Sequence, residues 1–232
     1  MRSAAGRSTA LLAAVLAAGC DAPRPSGPGP DVVLVLDGIE IKKDELTDLV
    51  RYLGTTGERL GEMYRIQGAL ERHLIPLALM RRAFPAEREA QRERAEAMKR
   101  SVAASGDAYP QLRSKGELLG GETTPGNLAR HQMELVQAMW CFDEANFGIV
   151  SPVLEVPQGF CLVAVQDHVQ GPTRTQDGVD AYLVPFYVLD RGKFDAWYLE
   201  QKKLLAGRLD YVHPDYVDAI PRWLEPPRPT VR

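Results

Sequence analysis

No apolar run in this 232-residue chain is long enough to cross a bilayer. The longest near the amino terminus, Thr9 to Ala18, is about half the roughly twenty residues that a spanning helix needs. Cysteine is scarce, with three residues, and the four histidines, His73, His131, His168 and His213, show no metal-ligand spacing. Each reads as an ordinary surface or packed histidine, and neither a metal nor another cofactor is expected. There is no basic surplus, since 28 Lys and Arg face 31 Asp and Glu. Phosphates would go unneutralised, which argues against nucleic acid as the main partner. No Gly-x-x-x-x-Gly-Lys-Ser/Thr loop is present to cradle a nucleotide. Ser151 sits in Val-Ser-Pro rather than in a Gly-x-Ser-x-Gly elbow.

The amino terminus is informative. Arg2 and Arg7 precede the short apolar run, and Gly19-Cys20 follows it, the layout of a secretory signal. Ala17-Ala18-Gly19-Cys20 resembles the lipobox of bacterial lipoproteins, with Ala17 where Leu, Val or Ile is usual. The resemblance implies a signal peptide over 1–19 and a mature chain that starts at a lipidated Cys20. Such a protein is attached to a membrane through acyl chains on the periplasmic side of the bacterial envelope, without spanning it. Residues 20–30 are rich in Pro and Gly and read as an extended tether. Loss of the signal leaves 26 basic against 31 acidic residues. Cys141 and Cys161 then form an even pair, open to a disulfide or to separate burial as apolar thiols, the second being the commoner outcome.

The pattern in the rest predicts a mixed α+β fold. Val32 to Ile41, with Asp37-Gly38 between apolar runs, predicts a hairpin. Leu46, Leu49, Val50 and Leu53 share one face of the next helix. A second stripe runs from Leu60 to Met80, with a kink or break expected at Pro76. Glu87 to Arg100 predicts a solvated, charge-paired helix opening near Pro85. The Gly- and Ser-rich stretch Ser101–Asn127 reads as loop, and His131–Phe142 as helix. Ile149–Val156 and Phe160–Val165 predict a hairpin around Pro157-Gln158-Gly159, and Ala181–Val188 a third strand with Pro185 suited to an edge or bulge. Phe194, Trp197, Tyr198, Leu204 and Leu205 predict a last amphipathic helix, followed by a short strand at Leu209–Val212.

Three stretches resemble extracytoplasmic foldases that combine a SurA-like chaperone domain with a parvulin-type peptidylprolyl isomerase domain. Val33-Leu-Val-Leu-Asp-Gly-Ile-Glu-Ile-Lys-Lys-Asp-Glu-Leu46 is similar to the family's opening strand, turn and helix. Gly148-Ile-Val-Ser-Pro-Val153 with Pro157-Gln-Gly-Phe-Cys-Leu-Val-Ala-Val165 looks like the end of a parvulin domain, and Leu209-Asp-Tyr-Val-His-Pro-Asp215 like the closing strand. The resemblance implies a helical chaperone-like part over 31–105, a small degenerate parvulin-like α/β region over 106–170, and a C-terminal strand and helix over 171–220 that pack back on the first part. A tail would occupy 221–232. Met133, Trp140 and Phe160 fall near the positions of the family's proline cup, and Cys161 stands where its Gly-Tyr-His histidine belongs. The family's first histidine has no counterpart, and Tyr182-Leu-Val-Pro185 looks like its strand, displaced to a later point in the chain. Three readings follow: a chaperone holding unfolded or extended polypeptides such as outer-membrane proteins, which the lost histidines favour; an active isomerase; or a structural lipoprotein that docks one envelope partner.

Overall fold

The computed structural model of the chain describes residues 28–56, 60–102, 108–117, 122–173 and 176–225 and, for 122–127, the backbone alone. The signal segment, Cys20 and most of the tether lie outside the described residues, as does the chain beyond 225. The fold is mixed α+β, with seven α-helices and two antiparallel sheets among the described residues. None of these helices is long and apolar enough to cross a membrane.

The first sheet begins with β1 (Val32–Leu36) and β2 (Ile39–Lys42). Asp37 and Gly38 join them with φ of 49° and 75°. Two consecutive positive φ values make a turn whose twist matches that of the flanking strands. α1 (Lys43–Thr55) follows directly, with Asp44 and Glu45 at the positive end of its dipole. β7 (Leu209–Val212) pairs with the free side of β1, Leu34 opposite Val212, so the two ends of the described chain are hydrogen-bonded to each other. Val33, Leu34, Leu36 and Ile41 meet Leu46 and Leu49 of α1 in the core behind this sheet.

α2 (Glu62–Ala69), a π turn at Leu70–Leu74 and α3 (Ile75–Ala83) form one unbroken helical run. The break expected at Pro76 does not occur. The proline follows immediately after the π turn, so its missing donor falls where the hydrogen-bond ladder already changes spacing. Leu70, Leu74, Ile75 and Leu79 keep one buried stripe across the junction.

The second sheet has the order β3-β6-β5-β4, from β3 (Glu122–Ala129), β4 (Leu154–Val156), β5 (Gly159–Val169) and β6 (Gly178–Tyr187). Alternate residues of β5 serve different layers. Phe160, Leu162 and Ala164 pack with Ala95 of α4 (Pro85–Ser101) and Leu112 of α5 (Ala108–Glu117), whereas Cys161, Val163 and Val165 pack with Ala138 and Cys141 of α6 (Leu135–Cys141). A sheet covered on both faces needs no polar alternation, which is why this strand reads as a continuous apolar run. A Cβ on Gly159 would collide with the backbone carbonyl of Phe186, so the hairpin needs glycine there.

Several expectations are corrected. The stretch Ser101–Asn127 is not a loop, because it holds α5 and most of β3. α5 buries only Ala108, Leu112 and Gly116, one residue per turn, too thin a stripe to stand out from its Gly and Ser neighbours. α4 is not wholly solvated, since Arg88 is 4% exposed and Ala95 fully buried. The second sheet crosses the boundary read at residue 170, with β5 and β6 paired from Gly159 opposite Tyr187 to Val169 opposite Gly178. Pro185 lies two residues beyond Leu183, the last β6 residue that pairs with β3. In α7 (Arg191–Leu205) Phe194 and Leu205 are buried while Leu204 faces outward at 59% exposure. Packed chain also continues past residue 220, as Arg222–Leu224 form a short 3-10 turn with Leu224 in the core. Cys141 and Cys161 are both free and buried.

Candidate functional site

The four residues read as a proline cup do not converge. Met133, Trp140 and Cys161 share one layer with Val163 and Ala181 beneath α6, whereas Phe160 lies on the opposite face beside Leu162 and Val184. Neighbours on a strand point to opposite sides, so Phe160 and Cys161 cannot line one cup. Cys161 is fully buried, and its Sγ accepts a hydrogen bond from Gln137 Nε2 at 3.2 Å. Burial pushes its thiol up to about 12, so no thiolate forms near neutral pH. Cys141 is pushed up by burial as well. The displaced segment Tyr182–Pro185 does run beside Gly-Phe-Cys, with Pro185 opposite Cys161 and Leu183 opposite Val163. The histidine that borders this layer is His168, against Phe142 and Phe147. Ser151 is buried too, its Oγ accepting from Val163 N at 2.9 Å, a structural bond away from solvent.

Beside that packed layer an open cleft of about 1080 Å³ lies between α1, the turn after α6 and the β5–β6 connection. α1 contributes Asp48, Arg51, Tyr52 and Thr55, whose spacing puts them on one helical face. Phe142, Asp143 and Glu144 come from the turn that ends α6, His168 from the end of β5 and Asp177 from the residue before β6. Arg130, in the 3-10 turn Arg130–Gln132, reaches in from below. Its Cζ is 3.8 Å from the centroid of Phe142 and 5.9 Å from that of Tyr52. Its Nη1 donates to the Tyr52 hydroxyl at 3.1 Å. Burial raises the Tyr52 pKa, and the hydrogen bond from Arg130 opposes that rise. His168 meets Phe142 edge-on at 5.9 Å. The cleft thus combines flat aromatic surface, a stacked guanidinium and an acidic rim, and among the described residues it holds no nucleophile paired with a base.

An ion-pair pillar supports the sheet from the other side. Arg88 donates to Glu155 Oε1 at 2.8 Å and to the carbonyl of Pro157 at 2.8 Å, with its guanidinium over the Phe160 ring. Arg81 grips Glu155 through Nε and Nη2 and reaches Glu45 through Nη1. Burial works to raise the Glu155 pKa, but the two arginines outweigh it and hold the carboxyl below its usual range. The pillar fixes the turn of the β4–β5 hairpin and ties it to α1 and α3.

Sequence reading missed the cleft. The spacing of Asp48, Arg51, Tyr52 and Thr55 could have marked a polar-aromatic face, because it is local to one helix. Arg130, Phe142 and His168 come together only through packing, and no spacing announces them. No protein-family model, curated protein or solved structure matches the chain.

Proposed function

We propose that the protein is a lipid-anchored, extracytoplasmic folding factor of the SurA/parvulin type that holds extended polypeptide as a chaperone. The observation that carries this reading is the cleft walled by Tyr52, Phe142 and Arg130. Aromatic faces and a stacked guanidinium suit the mixed apolar and amide surface of an unfolded segment, and neither demands one sequence. Cys20 would hold the domain at a membrane, and the Pro- and Gly-rich tether would give it reach toward clients such as outer-membrane proteins.

Isomerase activity is the weaker reading. Rotation about a prolyl bond faces about 18–20 kcal/mol, and lowering it takes a pocket that favours the twisted, desolvated amide. The residues that would form such a pocket are packed on two faces of a sheet, and its polar position holds a protonated thiol.

The test is light scattering from an unfolded outer-membrane protein diluted into buffer with the mature chain. Suppression at near-stoichiometric ratio is expected, weakened in a Tyr52→Ala/Phe142→Ala double variant that keeps the parent's circular dichroism. Aggregation unchanged by the unaltered chain overturns the proposal. On the same sample a proline peptide should isomerise at its uncatalysed rate.

A further inference from the structure

Several cations of the described fold have an acidic partner, and Arg65, whose Nε is buried without a hydrogen-bond partner, does not line the cleft. Arg88 and Arg81 share Glu155, and Lys202 meets Glu71 at 2.9 Å. Among the described residues Arg130 enters no ion pair, its Nε is buried with no hydrogen-bond partner, and its one bond goes to the neutral phenol of Tyr52. A guanidinium carries five donors in a planar fork, and although Phe142 covers the face of Arg130 and Tyr52 takes its Nη1, the side chain still lines the open cleft. A half-buried guanidinium with no acidic partner gains from a ligand that supplies one.

We infer that the cleft recognises polypeptide through a carboxylate, with Arg130 as the group that receives it, an inference that rests on the polypeptide-binding reading above. The rim decides the class of anion. Asp48, Asp143, Glu144 and Asp177 outnumber Arg51 around the opening. Three of these carboxylates are already engaged: Asp48 with Arg51, Asp143 with the Ala145 N–H and Asp177 with the Gly171 N–H. A phosphate dianion would meet twice the repulsion of a monoanion there. A carboxylate carried on a chain that also bears a lysine satisfies both the guanidinium and the rim.

Fluorescence anisotropy on the mature chain tests this with a labelled ten-residue apolar peptide that carries one lysine. The peptide is made with a free C-terminal carboxylate, with a C-terminal amide, and as the amide with one internal glutamate. A charge-assisted contact contributes enough that the acid should bind about tenfold tighter than the plain amide. Arg130→Gln should weaken the acid more than the amide and so close the difference between them, while Arg130→Lys should keep part of it. If the glutamate peptide matches the acid, the carboxylate comes from side chains; if it matches the plain amide, it comes from chain ends. Both results support the assignment. Equal binding of acid and amide to the unaltered protein overturns it and leaves the polypeptide reading standing, without recourse to a variant. Displacement by inorganic phosphate at lower concentration than by acetate overturns the choice of carboxylate. Failure of all three peptides to bind overturns the inference, and joined to a failure to suppress aggregation it removes the polypeptide reading as well.

Discussion

The two faces of the four-stranded sheet are built from alternate residues of the same strands and do different work. On one, Phe160, Leu162 and Val184 are sealed under α4 and α5, and the Arg88–Glu155 pillar closes the end of the layer. On the other, Cys161 and Val163 lie under the seven-residue α6, a glutamine side chain reaches the thiol, and the layer gives way to the open cleft at Phe142. The long helices make the first face a structural support. The short helix leaves room beside the second, and the open cleft lies there.

Loss of Arg88 should break this contrast most severely. Arg88→Met leaves the Pro157 carbonyl without its donor and Glu155 with Arg81 alone, and breaking a buried pair from one side costs about 3–5 kcal/mol. Urea unfolding should show that loss, with peptide affinity preserved in the molecules that remain folded. Leu162→Ala on the sealed face should cost about 3 kcal/mol through the cavity it opens. Cys161→Ala on the other face, one residue away, should cost about 1 kcal/mol, chiefly from the unpaired Gln137 donor, with peptide binding intact. A loss of binding in Cys161→Ala would move the site back to the packed layer.

Acid should act on the pillar side first. His73 is 3% exposed on the π turn, and burial lowers its pKa from 6.5 to about 4. Because the unfolded chain takes the proton at higher pH, this stabilisation is complete above about pH 6.5 and is lost as pH falls toward 4, about 3 kcal/mol in all. Glu155, held below the ordinary carboxylate range, adds a second loss at still lower pH. His73→Leu should flatten the first stage of the stability profile and leave the second. The smallest effect belongs to α7, where Leu204→Ser should leave the urea midpoint unchanged and the adjacent Leu205→Ser should lower it clearly.

What was legible in the sequence follows the range of the interactions involved. The Asp37-Gly38 hairpin, the stripe of α1 and the β4–β5 hairpin rest on contacts a few residues apart, and they stand where the pattern put them. α5 escaped notice because a helix that buries small residues once per turn shows little periodicity. Arg88 was misread for a related reason: on a helix of alternating charges, nothing local distinguishes the arginine that meets a distant glutamate from those that meet water. At Pro76 the irregularity that proline signals takes the form of a wider turn placed just before it rather than a break.

The sequence alone settled the short apolar, β-branched runs of β1, β5 and β6 and the apolar stripes of the helices, and with them the mixed α+β class, because such runs and periods are properties of consecutive residues. Only tertiary structure decided that Phe160 and Cys161 belong to separate layers, that Arg88 is a buried strut, and that Tyr52, Arg130 and Phe142 meet in a cleft. Those relations join residues tens of positions apart. They depend on which faces the helices cover, and no local pattern in the chain encodes that choice.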